Sequence, residues 1–348
     1  MCRCNLGELP LPAECRHFRI ASMGGNKKAH YVMETSNKRL KVVAPQAESD
    51  QALLDEGEAE IFYLGQFIPL HYHHNMLMDG NRMGAFKAAI DYAVFDGARV
   101  LELGGGTGVL SCLAASRASK VWCVEFNLEL VVESRRLLAL NRDGHKVEVV
   151  HANAFDYLPP EPVDVVICEM IHCAMLREKQ VEVIENFKER YRRRFGGQQP
   201  TLIPEAVVMA VQPLQQVYNF FGFHAPIIQF QRSQVLQAGT TELAAPAVYS
   251  ILDLSKPTAR EIQWEGTFTL EVDGTVNALR FITKNILAVM PEQATTIDWL
   301  IDYLVLPLST PVEAKAGDML KVAFCYCAGG SLRSLERNMT ATLMEKTI

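Results

Sequence analysis

Two glutamates carry the first chemical signal in this sequence. Glu169 ends the apolar run Val163-Asp164-Val165-Val166-Ile167-Cys168, and Glu178 follows nine residues later, after Met170-Ile171-His172-Cys173-Ala174-Met175-Leu176-Arg177. Two carboxylates on one loop repel each other, and that repulsion raises the pKa of one of them. A guanidinium between them removes the conflict, because its planar fork donates to two carboxylates and keeps its charge at neutral pH. A solvated pair of loop acids is the plainer alternative. The position of Glu169 weighs against it, since open α/β sheets bind ligands at the carboxyl ends of their strands.

The second signal is Glu102-Leu103-Gly104-Gly105-Gly106-Thr107-Gly108, directly after another apolar run. Small residues at a strand–turn–helix junction let the backbone approach a nucleotide closely. A dinucleotide fingerprint, G-x-G-x-x-G, would place its third glycine at position 109, which is Val109. The spacing is instead acid-x-G-x-G-x-G, with Gly104, Gly106 and Gly108, and it resembles the loop of class I S-adenosylmethionine (SAM) methyltransferases. Glu125 ends the next strand-like run, where a carboxylate accepts hydrogen bonds from ribose hydroxyls. Asn153 follows the third run, where its amide could read an adenine edge. The resemblance implies SAM as cofactor, held by Glu102, the three glycines, Glu125 and Asn153.

The glutamate loop has the nine-residue spacing of the "double-E" loop, and with it the chain resembles the protein arginine N-methyltransferase family as a divergent member. The likeness runs from about residue 60 to the end. His73-His74-Asn75-Met76-Leu77-Met78-Asp79-Gly80-Asn81-Arg82 follows the family's H-x-x-M-L-x-D-x-x-R segment. The resemblance implies that Arg82 pairs with the SAM carboxylate and that His73 lies beside SAM. It also implies a substrate side made of Tyr63, Met76, Asp79, Asp298 and Trp299, with Glu169 and Glu178 as the catalytic pair. Ile297-Asp298-Trp299 aligns with the family's Thr-His-Trp loop, and Tyr303 and Lys315-Ala316-Gly317-Asp318 follow in family order.

Three residues depart from the family pattern. Phe67 replaces a lid tyrosine. Asp298 replaces the loop histidine, and against Asp79 it requires a proton, a cation or a different geometry. Gln180 stands where a hydrophobic residue is usual. These changes leave the reaction class and bear on the acceptor, with the added acid favouring a cationic substrate. The expected reaction is methyl transfer to a guanidino nitrogen of arginine in a protein or peptide. The alternatives are a small guanidine or amine such as free arginine, and a silent SAM-binding scaffold; two adjacent carboxylates would be idle in the latter.

The elements that position these residues follow from the patterning. Val100–Leu103, Lys120–Glu125, Lys146–Val150 and Val163–Cys168 are short β-branched runs separated by helix-like segments such as Leu128–Leu140. That alternation predicts an α/β fold, with a Rossmann-like parallel sheet covered on both faces. Glu178–Arg194 reads as a long helix with Val181, Ile184, Phe187 and Tyr191 on one stripe. After Pro204 the runs Val207–Val211, Gly266–Val272, Thr275–Ile282, Trp299–Leu306 and Met319–Tyr326 predict an antiparallel β domain. Asp273-Gly274 within it reads as a hairpin turn. The expected division is an extension over 1–55, lid helices and SAM domain over 56–203, and a β-barrel substrate domain over 204–348. The resemblance places a dimerisation arm near 213–250, where Tyr218-Asn219-Phe220-Phe221-Gly222-Phe223 is apolar, and so implies a homodimer.

Composition narrows the setting. The chain of 348 residues is 49% hydrophobic and 21% charged, with 34 Lys+Arg against 40 Asp+Glu and a net charge of −6. This is globular composition, and it argues against a basic nucleic-acid binder. No run spans a bilayer and no signal peptide is visible, so a cytoplasmic protein with no membrane partner is expected. The nine cysteines read as reduced thiols, Cys112, Cys123 and Cys168 lying in apolar runs. Neither Cys2, Cys4 and Cys15 nor His71, His73 and His74 makes a convincing metal set, and no metal is expected.

Overall fold

The computed structural model describes residues 70–345 apart from 234 and 236. Tyr63, Phe67 and the N-terminal cysteines lie outside the described residues. Five parallel strands form the first sheet: β1 (Arg99–Leu103), β2 (Lys120–Glu125), β3 (Val147–His151), β4 (Val165–Cys168) and β5 (Thr201–Ile203), in the order β3-β2-β1-β4-β5. β4 is buried along its whole length and β1 along all but its first residue, as continuous apolar strands between two helical layers must be. The order reverses between β1 and β4. The glycine loop leaves the end of β1 and Glu169 follows the end of β4, so both flank the crevice where such sheets bind ligands. β5, three residues long and directly after Pro200, carried no sequence signal of its own.

The predicted helices form within two residues of expectation, at Leu128–Ala139 and Gln180–Phe195. The second buries Val181, Ile184, Phe187 and Tyr191, and the Tyr191 hydroxyl is bonded to both the N–H and the carbonyl of Val163, which anchors the helix to the segment entering β4. Upstream, Leu70–Met78 and Gly80–Ala93 are helices separated by Asp79. Asp79 caps the second by accepting from the amides of Asn81 and Arg82 at 3.1 and 3.0 Å.

From Ala206 onward the strands pair antiparallel. Gly274–Met290 runs through the centre of a seven-stranded sheet, flanked by Ala206–Gln216 and Tyr303–Ala314. The expected hairpin at Asp273-Gly274 does not form. The strand before it, Glu261–Thr269, pairs with Met319–Cys327 in a separate three-stranded sheet. Gly274 is there for closeness: a Cβ would come within 2.7 Å of Gln215 Oε1 and 2.9 Å of Leu243 Cδ2. The run Trp299–Leu306 is likewise divided into Thr295–Leu300 and Tyr303–Ala314.

One apolar cluster unites the two halves. It includes Leu103, Trp122 and Phe187 from the parallel sheet and its helix, and Met209, Phe281 and Phe324 from the antiparallel strands. Cys173, Ala174, Met175 and Leu176 are buried within it, so the glutamate loop is wedged between the sheets. Asn219–Phe220 and Phe223–His224 form a small two-stranded ribbon on which Phe220, Phe221 and Phe223 are all exposed.

Candidate functional site

The glycine loop turns on three positive φ angles, 78° at Gly104, 53° at Gly106 and 78° at Gly108, which starts the helix Val109–Ala115. Its floor is close-packed. The amides of Gly104 and Gly105 both donate to Val124 O, and a Cβ on Gly105 would lie 2.2 Å from Cys123 Sγ. Glu102 is buried, and its carboxylate accepts from the amide and hydroxyl of Ser111. Burial pushes this carboxyl up to about 7, against the lowering effect of Ser111. Glu102 therefore braces the loop against its own helix. Glu125 accepts from Gly106 N at 2.9 Å and from Asn127 N at 2.7 Å, which fixes its carboxylate at the loop's edge. Asn153 is exposed, and its Oδ1 accepts from Phe155 N at 3.0 Å.

His73 covers the loop from the helix Leu70–Met78. A Cβ on Gly106 would lie 3.2 Å from His73 Cε1. His73 Nε2 is buried without a hydrogen-bond partner among the described residues, and burial, then Arg82, pushes its pKa below the usual histidine value. Met76 on the same helix is half-buried. An orphaned ring nitrogen over a loop stripped of side chains, with a carboxylate at its edge, fits a nucleoside carrying a polar tail.

The loop from Glu169 to Glu178 is held in an unusual backbone path. Ala174, Met175 and Arg177 have φ of 56°, 55° and 58°, a region non-glycine residues enter at a cost. Thr283 Oγ1 accepts from Ala174 N at 2.7 Å, Gly329 N donates to Met175 O, and Arg177 N donates to Gly330 O, which together hold this path. Gln180 closes the loop: its Oε1 accepts from Met170 N at 3.0 Å, tying the residue after Glu169 to the second residue after Glu178. The Gln180 side chain is fully buried and its Nε2 has no partner among the described residues. Met170, which the sequence did not single out, packs its side chain over Gly104.

Arg82 meets the loop from the helix Gly80–Ala93. It donates to Glu169 Oε2 at 2.5 Å, and the two side chains are only 8% and 16% exposed. Its guanidinium lies 5.4 Å from the Phe86 ring centroid and 5.9 Å from that of Trp299. Burial raises the Glu169 carboxyl even against Arg82, and burial together with Glu169 pushes Glu178 up to about 8. Burial thus outweighs Arg82 at both acids, and at Glu178 it outweighs Arg177 as well.

Asp79 and Asp298 are occupied separately. Asp79 is spent as a helix cap, while Asp298 pairs with Lys284 at 2.8 Å and accepts from Thr296 Oγ1 at 3.2 Å. Lys284 could not be found from sequence. It reaches Asp298 because Lys284 pairs with Leu300 and Ile286 with Asp298 across two strands, putting them on one diagonal. The structure therefore gathers His73, Arg82, the glycine loop, Glu125, Glu169, Glu178 and Trp299 around the ends of β1, β2 and β4, and leaves Asn153 at the periphery.

Comparison with known proteins bears on the fold and the reaction class. Residues 100–193 match a family described as "Methyltransferase domain". An uncharacterised protein of Methanocaldococcus jannaschii is 26% identical over 77% of this chain and 96% of its own length. Protein arginine N-methyltransferase PRMT10 of Arabidopsis thaliana is 32% identical, but over only 38% of this chain and 35% of its own. The chain thus spans about a third of that relative. In structure, the Trypanosoma brucei PRMT1 enzyme–prozyme complex with AdoHcy is similar with a TM-score of 0.59 at 16% identity, over 78% of this chain and 98% of that one. No helix among the described residues is long and apolar enough to cross a membrane. On these matches the chain carries a methyltransferase domain over residues 100–193, works as an enzyme with S-adenosylmethionine as its cofactor, and is similar to the protein arginine methyltransferases.

Proposed function

We propose that the protein transfers a methyl group to a guanidino nitrogen of arginine. The observation that carries this reading is the buried acid pair on a loop closed by Gln180 at Met170 N and packed through Met170 over Gly104, with Glu169 holding the Arg82 guanidinium at 2.5 Å and burial raising both acids. A buried acid pair of this kind is best satisfied by a delocalised cation that donates to both. Arg82 already donates to one of the two, Glu169.

Bound SAM supplies an electrophilic methyl on a sulfonium. His73, Gly104, Gly106, Gly108 and Glu125 would hold it, with Glu102 acting through the loop it braces and Asn153 at the base. Arg82 would leave Glu169 to hold the cofactor's carboxylate. Glu169 and Glu178 then clasp the acceptor guanidinium, orient one nitrogen towards the methyl and draw positive charge onto the other two. The proton leaves that nitrogen to a carboxylate or to water. Met76 and Trp299 border the acceptor, with Asp79 and Asp298 on its outer side; Tyr63 belongs to the same proposed surface. The division into a cofactor domain over 56–203 and an acceptor domain over 204–348 belongs to this reading, as do a cytoplasmic setting and a homodimer formed through the ribbon at Phe220–Phe223.

The test is mass spectrometry of products after incubation with SAM and arginine acceptors. Methyl on a terminal guanidino nitrogen supports the reading; methyl found only on amines or oxygen excludes it.

A further inference from the structure

Lys284 and Asp298 make a charged pair that the reaction itself does not require. Both line a cavity of about 380 Å³ together with Asn81, Trp299 and Leu300. That volume is near the lower end for small-molecule sites. The cavity lies near Arg82: Asn81, in its wall, precedes Arg82 in the chain, and the Trp299 ring lies 5.9 Å from the Arg82 guanidinium, which is 2.5 Å from Glu169. An acceptor whose guanidinium sat on Glu169 would have to reach this wall with the other end of its extended side chain.

The chemistry of the wall is specific. It offers one ammonium and one carboxylate 2.8 Å apart, at side-chain exposures of 44% and 32%. A half-exposed pair of this kind contributes little by itself, so opening it is easily repaid. A residue within a peptide presents only neutral amides at its backbone. A free α-amino acid presents a carboxylate and an ammonium on adjacent atoms, the complement of Lys284 and Asp298.

We infer that this cavity holds the backbone of a free α-amino acid, the Lys284 ammonium taking its carboxylate and the Asp298 carboxylate its ammonium, so that the acceptor is free L-arginine. The inference rests on the guanidine reading above and narrows it.

Three acceptors separate the possibilities: L-arginine, agmatine, which lacks the carboxylate, and Nα-acetyl-L-arginine amide, which lacks both charges. Transfer to each is measured with the full chain and with Lys284→Gln and Asp298→Asn, alongside calorimetric binding in S-adenosylhomocysteine. The expected result is a kcat/KM for L-arginine at least about tenfold above both analogues, with the ratio over agmatine collapsing towards one in Lys284→Gln and the ratio over the blocked amide falling in both variants. If the blocked amide is used as well as L-arginine, or the preference survives in Lys284→Gln, the inference is overturned while guanidine methylation stands. If L-arginine binds and Lys284→Gln loses it, yet no guanidine is methylated, the site stands and the reaction assignment falls. Absence of both binding and transfer overturns both.

Discussion

Arg82 donates to Glu169 at 2.5 Å, so one of the two loop glutamates already holds a guanidinium, and that guanidinium belongs to the protein. An incoming acceptor must displace it. A cofactor carboxylate that draws Arg82 away would clear Glu169, and the two ligands would then bind with positive coupling. Acceptor affinity is expected to be about tenfold or more higher in saturating S-adenosylhomocysteine than without it, and the reverse coupling must be equal. Calorimetric titrations in both orders check this. Equal affinities with and without the nucleoside would remove Arg82 from the account.

The acid pair also sets a pH dependence. Glu178 is pushed from an ordinary 4.5 to about 8 in the folded protein, by burial first and by Glu169 second. Between those values the folded state holds a proton that the unfolded state has lost, so stability falls as pH rises through the window. The melting temperature of the free protein is expected to decline from pH 5 to pH 8 more steeply than that of Glu178→Gln. A guanidinium reverses the preference and expels the proton. Acceptor binding at pH 7 should therefore release close to about one proton and strengthen towards pH 8. Calorimetry in buffers of different ionisation enthalpy reads the release, and none would contradict the proposed clasp.

The glycine loop makes a steric prediction. Gly105 faces Cys123 so closely that an added Cβ would lie 2.2 Å from Sγ but 3.7 Å from Cβ. Gly105→Ala is expected to displace the loop and to weaken S-adenosylhomocysteine binding by at least about tenfold, in line with the 1–3 kcal/mol usual for overpacking. Cys123→Ala removes the clashing sulfur, so the double variant should recover most of the affinity. Failure of that rescue would mean that Gly105 is needed for another reason.

The exposed ribbon predicts self-association. Phe221 is fully exposed and Phe223 is 72% exposed. Large apolar side chains clustered at one tip mark an interaction surface. Phe221→Asp combined with Phe223→Asp should leave the circular dichroism spectrum intact and convert a dimer to a monomer in sedimentation velocity. A wild-type chain that sediments as a monomer at micromolar concentration would rule out this role.

Four of the five strands of the parallel sheet, and its helices, were legible because each buried run is β-branched and followed by a marked boundary, as at Cys168–Glu169 and Glu125–Asn127; β5, of three residues, was too short to stand out. The glycine loop and the glutamate spacing were legible because they are local. What escaped depends on chain segments far apart in sequence. Lys284 finds Asp298 through strand register, and Thr283 pins Ala174 across 109 residues. Gln180 stood out as a departure, but its tie to Met170 N needs the closed loop. Asp273-Gly274 misled because a glycine required for close packing beside Gln215 and Leu243 has the same local sequence as a turn.

The central claim is that Glu169 and Glu178 hold the acceptor and leave the cofactor to other residues. Its most direct test pairs S-adenosylhomocysteine calorimetry with methyl-transfer kinetics for Glu169→Gln and Glu178→Gln. Nucleoside affinity should be kept, and in Glu169→Gln even improved, because Arg82 loses the partner that competes for it. Turnover should fall by about 100-fold or more in each, the usual loss of some 3–4 kcal/mol when an electrostatic partner of the transition state is removed. Undiminished turnover in either variant would contradict the account.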